Sequence, residues 1–277
     1  MLAVLLAATS AFVWGTADYT GGRASRRADS LFVTVVAELS AVPLLVVALL
    51  VYPVPSPSAA DLCWGSLAGL AGFVGLVLFY RALATAVMSV VAPVAAVTSA
   101  LLPFAVGLVL DGEPGFGPLL GAVLAVLATG LVSMGHRGTG RATGRIVTLS
   151  LVSGVLFGLF FIFLQRASPE AGAWPLLSMR LTAVVVGVPM VLWRRPGVRP
   201  QRGVLRWAVL CGVLDVTANA LYQVAVHLGQ LSVVAPVSAL YPVSTVLLAL
   251  AVDRERVHPI QLAGLGLAAA ALVLTAT

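Results

Sequence analysis

The stretch Ser89–Val94 (SVVAPV) recurs unchanged as Ser232–Val237, 143 residues further along the chain. The surrounding sequence repeats with it, since Ser10 in the first apolar run has a counterpart in Ser153 at the same offset. A single six-residue match in a chain rich in valine and alanine carries little weight. An offset that stays nearly constant over half the chain indicates an internal duplication.

The composition predicts an integral membrane protein. Of the 277 residues, 60% are hydrophobic and only 9% are charged, whereas soluble domains carry about a quarter charged residues. All 16 basic residues are arginines and the net charge is +6. Because the arginines lie in short connections between apolar runs, they indicate membrane topology and not nucleic-acid binding.

Ten segments have the length of about 20 apolar residues that a membrane-spanning helix needs. The chain therefore divides into a first five-helix repeat at 1–136 and a second at 146–277. The segments are about 2–20, 31–52, 62–83, 87–110, 117–135, 146–166, 174–193, 204–227, 231–252 and 259–276.

Five crossings separate equivalent points of the two repeats, and five is odd, so the second repeat inserts upside down relative to the first. The fold class that follows is an all-α integral membrane protein with ten transmembrane helices in two inverted five-helix repeats. Inverted repeats with a binding site at their interface near the bilayer midplane are a recurring design of secondary transporters. The inverted duplication therefore indicates that this membrane protein is a transporter.

The chain resembles the drug/metabolite transporter superfamily, in its EamA-type ten-helix branch, over its whole length. The marks are Trp14-Gly15 in helix 1, Tyr80-Arg81 near the end of helix 3, and a proline early in helices 4 and 9 (Pro93 and Pro236). An acidic residue also closes each of these two helices (Glu113 and Glu255), and glycines follow in helices 5 and 10. The resemblance implies a carrier for small organic molecules, metabolites, amino acids or drugs, and often an exporter. One departure is that helix 2 carries Glu38 where the family often has an arginine.

Charged residues inside membrane helices cost about 2.5–3.5 kcal/mol each on insertion scales, and they commonly mark a pathway or a partner. The candidates here are Asp18, Glu38, Arg81, Arg180 and Asp215. We expect an Arg180–Asp215 pair, because helices 7 and 8 are antiparallel neighbours and the two residues lie at similar depth. We expect Glu38 to pair with Arg81 and not with Arg180, which enters from the opposite face. Either pair can be a static structural contact or part of the transport cycle, and Glu38 is a candidate for proton coupling.

Aromatic and amide side chains complete the predicted cavity. Asp215, Asn219 and Tyr222 are spaced i, i+4 and i+7 and share one face of helix 8. Trp14 and Asp18 share a face of helix 1, although Asp18 can also cap the helix or contact headgroups. Tyr80 is either a cavity residue or an interface anchor, whereas Tyr241 lies deep in helix 9.

Helices 4 and 9 are interrupted by Pro93, Pro103, Pro236 and Pro242, where a missing N–H kinks a helix. Pro93 and Pro236 are the expected gating pair. We expect no metal and no cofactor. A chain without lysine cannot form the ATP-binding loop Gly-x-x-x-x-Gly-Lys-Ser/Thr, so transport is secondary, with a small-molecule solute and the lipid bilayer as partners. The protein is expected in the inner or plasma membrane as a monomer or homodimer.

The arginine distribution predicts the orientation. Thirteen of the sixteen arginines lie in the connections after helices 1, 5, 7 and 9, which the positive-inside rule places in the cytoplasm.

Two other functions stay open at this point. A membrane-embedded enzyme acting on lipid-linked substrates would need a cluster of catalytic groups at one membrane face, and a channel or scaffold component would more often use symmetry between subunits.

Overall fold

The structure is a computed structural model that describes residues 1–25, 27–54, 56–85, 88–133, 144–194, 202–252 and 258–276. Helices form at the apolar segments of the sequence. Within these ranges, the side chains of residues 80–85, 88–93, 133, 202, 246, 249, 250 and 276 are not described. The described residues contain no strand. Their α-helices are α1 (Leu2–Ser25), α2 (Ser30–Val51), α3 (Ala59–Thr85), α4 (Met88–Leu110), α5 (Phe116–Ser133), α6 (Gly144–Arg166), α7 (Trp174–Arg194), α8 (Arg202–Leu228), α9 (Leu231–Ser238), α10 (Tyr241–Val252) and α11 (Pro259–Ala276).

In this described part of the chain, six helices are long and apolar enough to cross a bilayer, and four further apolar stretches are shorter. The six are Leu2–Ser25, Ser30–Val51, Ala59–Phe79, Gly144–Arg166, Trp174–Arg194 and Gly203–Leu228. The shorter stretches are Val94–Leu110, Phe116–Val132, Leu231–Thr245 and Pro259–Thr275. The protein is therefore a multi-pass membrane protein, as the composition predicts.

Local side-chain hydrogen bonds fix where helices begin. Asp29 caps α2 by accepting a hydrogen bond from the backbone N–H of Phe32 at 3.2 Å. Ser58 and Asp61 form a reciprocal capping box at the start of α3, in which each side chain accepts from the other's backbone N–H at 3.1 Å. These caps satisfy N–H groups that a helix leaves without partners in its first turn.

The ninth predicted segment is two helices, α9 and α10, separated at Ala239 and Leu240. Of the two prolines expected to interrupt this segment, Pro242 lies beside the break, whereas Pro236, the expected gating proline, lies buried inside a continuous α9. The last i to i−4 bond of α9 runs from Ala239 to Ala235, Leu240 bonds Val237 instead, and Pro242 has no N–H to donate to Ser238.

Helices of the two halves pack in equivalent pairs. Helix α1 packs against α8 as α6 packs against α3, and α2, α4 and α5 contact α7, α9 and α11 respectively. The Ser10 hydroxyl donates to the backbone carbonyl of Ala218 at 2.8 Å, and the Ser153 hydroxyl donates to that of Gly75 at 2.9 Å. The two donors are 143 residues apart, and so are the two acceptors. The donor lies in the first half in one bond and in the second half in the other.

Two glycines repeat this correspondence at close helix contacts. A Cβ atom on Gly69 of α3 would overlap the backbone carbonyl of Met179 in α7, and one on Gly212 of α8 would overlap that of Ala37 in α2. Gly69 and Gly212 are also 143 residues apart. Small residues allow such backbone contacts between membrane helices, so both halves use the same packing device against the other.

Candidate functional site

A cavity of about 510 Å³ lies in the middle of the bundle. Its walls come from both halves of the chain, namely α1, α2, α3 and α4 of the first half and α6, α7, α8 and α10 of the second. It extends toward the end of α1 that carries Arg23 and Ser25. We call this end of the bundle, which also holds Arg27 and Arg194, the arginine-rich end. A volume of this size suits a small organic molecule.

Arg180 is the centre of the charged part of this cavity. Its Nη2 donates to Asp215 Oδ2 at 2.5 Å and its Nη1 donates to Glu38 Oε2 at 2.6 Å. The Arg180 side chain is only 4% exposed, whereas those of Glu38 and Asp215 are 17% and 31% exposed. One guanidinium thus joins α7 to α8 within the second half and to α2 of the first half.

The Arg180–Asp215 ion pair predicted from the sequence is present. The expectation that Glu38 would not pair with Arg180 was wrong, because the two side chains form an ion pair. The expected Glu38–Arg81 pair involves a side chain outside the described residues and stays a prediction. Depth counted from the helix ends, with the helices taken as upright, separates Glu38 from Arg180. Since α2 and α7 pack directly against each other, the combined length of the two side chains bridges the remaining separation.

Asn219 lies beside the ion pair and has a free acceptor. Its Nδ2 donates to the backbone carbonyl of Asp215 at 2.6 Å and to Asp215 Oδ2 at 2.9 Å. A carboxylate accepts only, so these bonds fix which amide atom is nitrogen. Asn219 is 2% exposed, and its Oδ1 has no hydrogen-bond partner among the described residues. Arg180 Nε is likewise buried without an acceptor there.

Asp18 faces the cavity. Its side chain is exposed although it lies well inside α1, because the exposed surface belongs to the cavity wall. Within the described part of the chain it makes no hydrogen bond or ion pair, and it lines the same cavity as Asp215. It is therefore not a helix cap, one of the two alternatives that the sequence left open.

Aromatic rings form a large part of the remaining wall. Trp14 lines the cavity and stacks edge to face on Phe160 and Phe161, with ring centroids 6.1 and 5.6 Å apart. Phe73 and Phe157 add rings from α3 and α6. Sequence reasoning missed these phenylalanines, since a phenylalanine in a membrane helix gives no sign of whether it faces lipid or a cavity.

Tyr222 does not line the cavity. It is fully buried behind the aromatic wall, and its hydroxyl donates to the backbone carbonyl of Phe161 at 2.9 Å. Tyr241 does line the cavity, beside Pro242 at the start of α10. Pro236 is buried in α9 away from the cavity. The predicted side chains of Tyr80 and Pro93, like that of Arg81, lie outside the described residues.

The opposite end of the bundle, formed by residues 52–54, 56–58, 111–115 and 167–173, is held by hydrogen bonds between the two halves. The backbone N–H of Ser168 donates to Asp61 Oδ1 and that of Leu231 donates to Asp111 Oδ2, each at 2.7 Å. Leu176, at the start of α7, is 2% exposed here. We call this the closed end.

Comparison with known proteins agrees with this architecture. The model of the EamA-like transporter family matches residues 1–134 and 144–277. A crystal structure of a protein that shares 15% sequence identity aligns with a TM-score of 0.81 over 99% of this chain and 98% of its own, which shows a shared fold. No curated protein matches the sequence at a significant level. Because the family model covers nearly the whole chain, the protein belongs to the EamA-like transporter family, within the drug/metabolite transporter superfamily.

Proposed function

We propose that this protein is a secondary transporter that carries a small organic solute through the cavity by alternating access. In this proposal the halves at 1–136 and 146–277 are inverted copies that cross the membrane five times each. Helices α9 and α10 together make the ninth crossing. The solute binds between the halves, beside Arg180 and its two carboxylate partners.

The matched contacts between the halves support the inversion. The Ser10–Ala218 and Ser153–Gly75 hydrogen bonds are related by one offset and exchange the halves. The close approaches at Gly69 and Gly212 are related in the same way. A pseudo-two-fold axis in the membrane plane would produce such pairs.

The observation that carries the proposal is that equivalent positions differ in exposure. Thr34 of α2 lines the cavity and is half-buried, whereas its counterpart Leu176 of α7, at the 142-residue offset that also relates Glu38 to Arg180, is 2% exposed at the closed end. Two equivalent halves in unequal arrangements have a second state of similar energy in which the roles are exchanged. In that state the closed end opens and the arginine-rich end closes.

The direction of the proposed transport follows from the distribution of the arginines. The positive-inside rule places the arginine-rich end in the cytoplasm, so the present state accepts solute from the cytoplasm. We therefore propose an exporter in the cell membrane, with a proton as a candidate coupling ion at the cavity carboxylates.

Cysteine labelling tests alternating access without knowledge of the solute. Thr34→Cys and Leu176→Cys are made separately in a Cys63→Ala/Cys211→Ala background and treated with an impermeant maleimide in sealed vesicles of both orientations. We expect Thr34→Cys to react from the cytoplasmic face and Leu176→Cys from the opposite face. Ala271→Cys, buried between α11 and α5, is the control that stays unreactive. A Leu176→Cys variant as unreactive as Ala271→Cys would refute the proposal.

A further inference from the structure

We infer that the transported solute is an organic cation, a protonated amine attached to an apolar or aromatic body. This inference rests on the proposed transport through the cavity and specifies what the cavity selects. It comes from three independent features of the described lining residues: their charge balance, an unpartnered buried acceptor, and the aromatic wall.

Negative charge exceeds positive charge in the deep part of the cavity. The described lining residues there include three carboxylates, those of Asp18, Glu38 and Asp215, and one guanidinium, that of Arg180. Arg23, at the arginine-rich end of the cavity, lies 5.5 Å from the ring centroid of Trp207 and donates to the Tyr19 hydroxyl at 3.1 Å. The described residues of the deep cavity thus carry a formal charge of −2, which favours a cation over an anion.

Arg180 does not offer its terminal nitrogens to an anion. Nη1 and Nη2 each donate a short hydrogen bond to a carboxylate, and the side chain is 4% exposed. To bind an anionic solute through these terminal nitrogens, Arg180 would have to break one of its charge-assisted bonds and leave a carboxylate unpaired next to the incoming negative charge. Asp18, in contrast, is exposed in the cavity and has no described partner.

The unpartnered Asn219 Oδ1 indicates what the solute donates. A buried polar atom without a hydrogen bond is costly, and this one is an acceptor on a residue that lines the cavity. An ammonium group has N–H donors for Asn219 and a positive charge for the neighbouring carboxylates. A carboxylate solute would place a second acceptor against this oxygen.

The aromatic wall suits the rest of such a molecule. Trp14, Phe160 and Phe161 are in mutual contact, with Phe160 and Phe161 centroids 5.4 Å apart. Ring faces attract cations as well as apolar groups. The cavity therefore combines an apolar surface for the body of the solute with carboxylates and an acceptor for its charged nitrogen.

Three probes that share a phenylethyl body test the charge class: phenethylammonium carries only the ammonium group, 3-phenylpropionate only the carboxylate, and phenylalanine both. Binding to the detergent-purified full chain is measured by isothermal titration calorimetry at pH 7. We expect phenethylammonium to bind at least tenfold more tightly than phenylalanine, and 3-phenylpropionate not to bind. Equal or tighter binding of 3-phenylpropionate, or no detectable binding of phenethylammonium at millimolar concentration, would overturn the inference.

Asp18→Asn removes the exposed cavity carboxylate with little change in shape, and we expect it to weaken phenethylammonium binding at least tenfold. The matched control is Asp29→Asn, which removes a carboxylate at the same end of the bundle but outside the cavity and keeps a side chain that caps α2. Equal affinities of the Asp18→Asn and Asp29→Asn variants would contradict the inference. If these binding predictions fail while the cysteine variants are labelled at both faces as expected, alternating access is retained and only the proposed charge of the solute is rejected.

Discussion

Replacing Arg180 by glutamine tests the role of the central ion pair in holding the two halves together. The change removes the positive charge and the hydrogen bonds to Glu38 and Asp215, at 2.6 and 2.5 Å. Hydrogen bonds to charged groups contribute about 1.5–3 kcal/mol each, and removing one member of a buried ion pair costs about 3–5 kcal/mol. Because both carboxylates retain access to the cavity, we expect the lower part of that range, about 3 kcal/mol.

The assay is reversible unfolding of the purified protein in mixed micelles of a mild detergent and increasing SDS, followed by tryptophan fluorescence. The control is Arg194→Gln, which removes an exposed arginine from the end of the same helix and is expected to change the unfolding free energy by less than about 0.5 kcal/mol. Adding Glu38→Gln and Asp215→Asn to Arg180→Gln removes the unpaired charges and should recover at least half of the loss. Equal unfolding free energies of the Arg180→Gln and Arg194→Gln variants would refute this reasoning.

Three further outcomes follow from the packing and the closed end. Gly15→Ala should lower the thermal midpoint far more than Gly22→Ala, since a Cβ on Gly15 would overlap α10 and one on Gly22 meets no atom within 4 Å; equal midpoints would contradict the close contact. Ser10→Ala and Ser153→Ala should each destabilise the protein by about 1 kcal/mol, and a large difference in SDS unfolding would count against their equivalence. Asp61→Ala removes a bond between the halves at the closed end and should increase cysteine labelling from that face, whereas unchanged labelling would exclude Asp61 from closure.

The sequence predicted the helices and one of the two ion pairs. Segments of about 20 apolar residues mark membrane helices directly. The Arg180–Asp215 pair was also predictable, because α7 and α8 are consecutive antiparallel helices. The depth of each residue in the membrane can be counted from the ends of its helix. Both inferences use only distances along the chain.

Contacts that depend on lateral packing were not predictable. Glu38 meets Arg180 because α2 packs on α7, which spacing along the chain does not reveal. Tyr222 shares a helix face with Asp215, yet two turns further toward the closed end that face is covered by Phe161. Both Pro236 and Pro242 were expected to interrupt helix 9, and the sequence did not reveal that the break between α9 and α10 lies beside Pro242 alone.

Exclusive access at the two ends is the central claim, and it is tested most directly in a double Thr34→Cys/Leu176→Cys variant lacking the native cysteines. A bulky impermeant maleimide is first reacted at Thr34→Cys from the cytoplasmic face, where it prevents the arginine-rich end from closing. Labelling of Leu176→Cys from the opposite face is then measured. We predict that this labelling falls to the level of the buried Ala271→Cys control. Labelling at the unblocked rate would mean that the two ends open independently, as in a channel, and would contradict transport by alternating access.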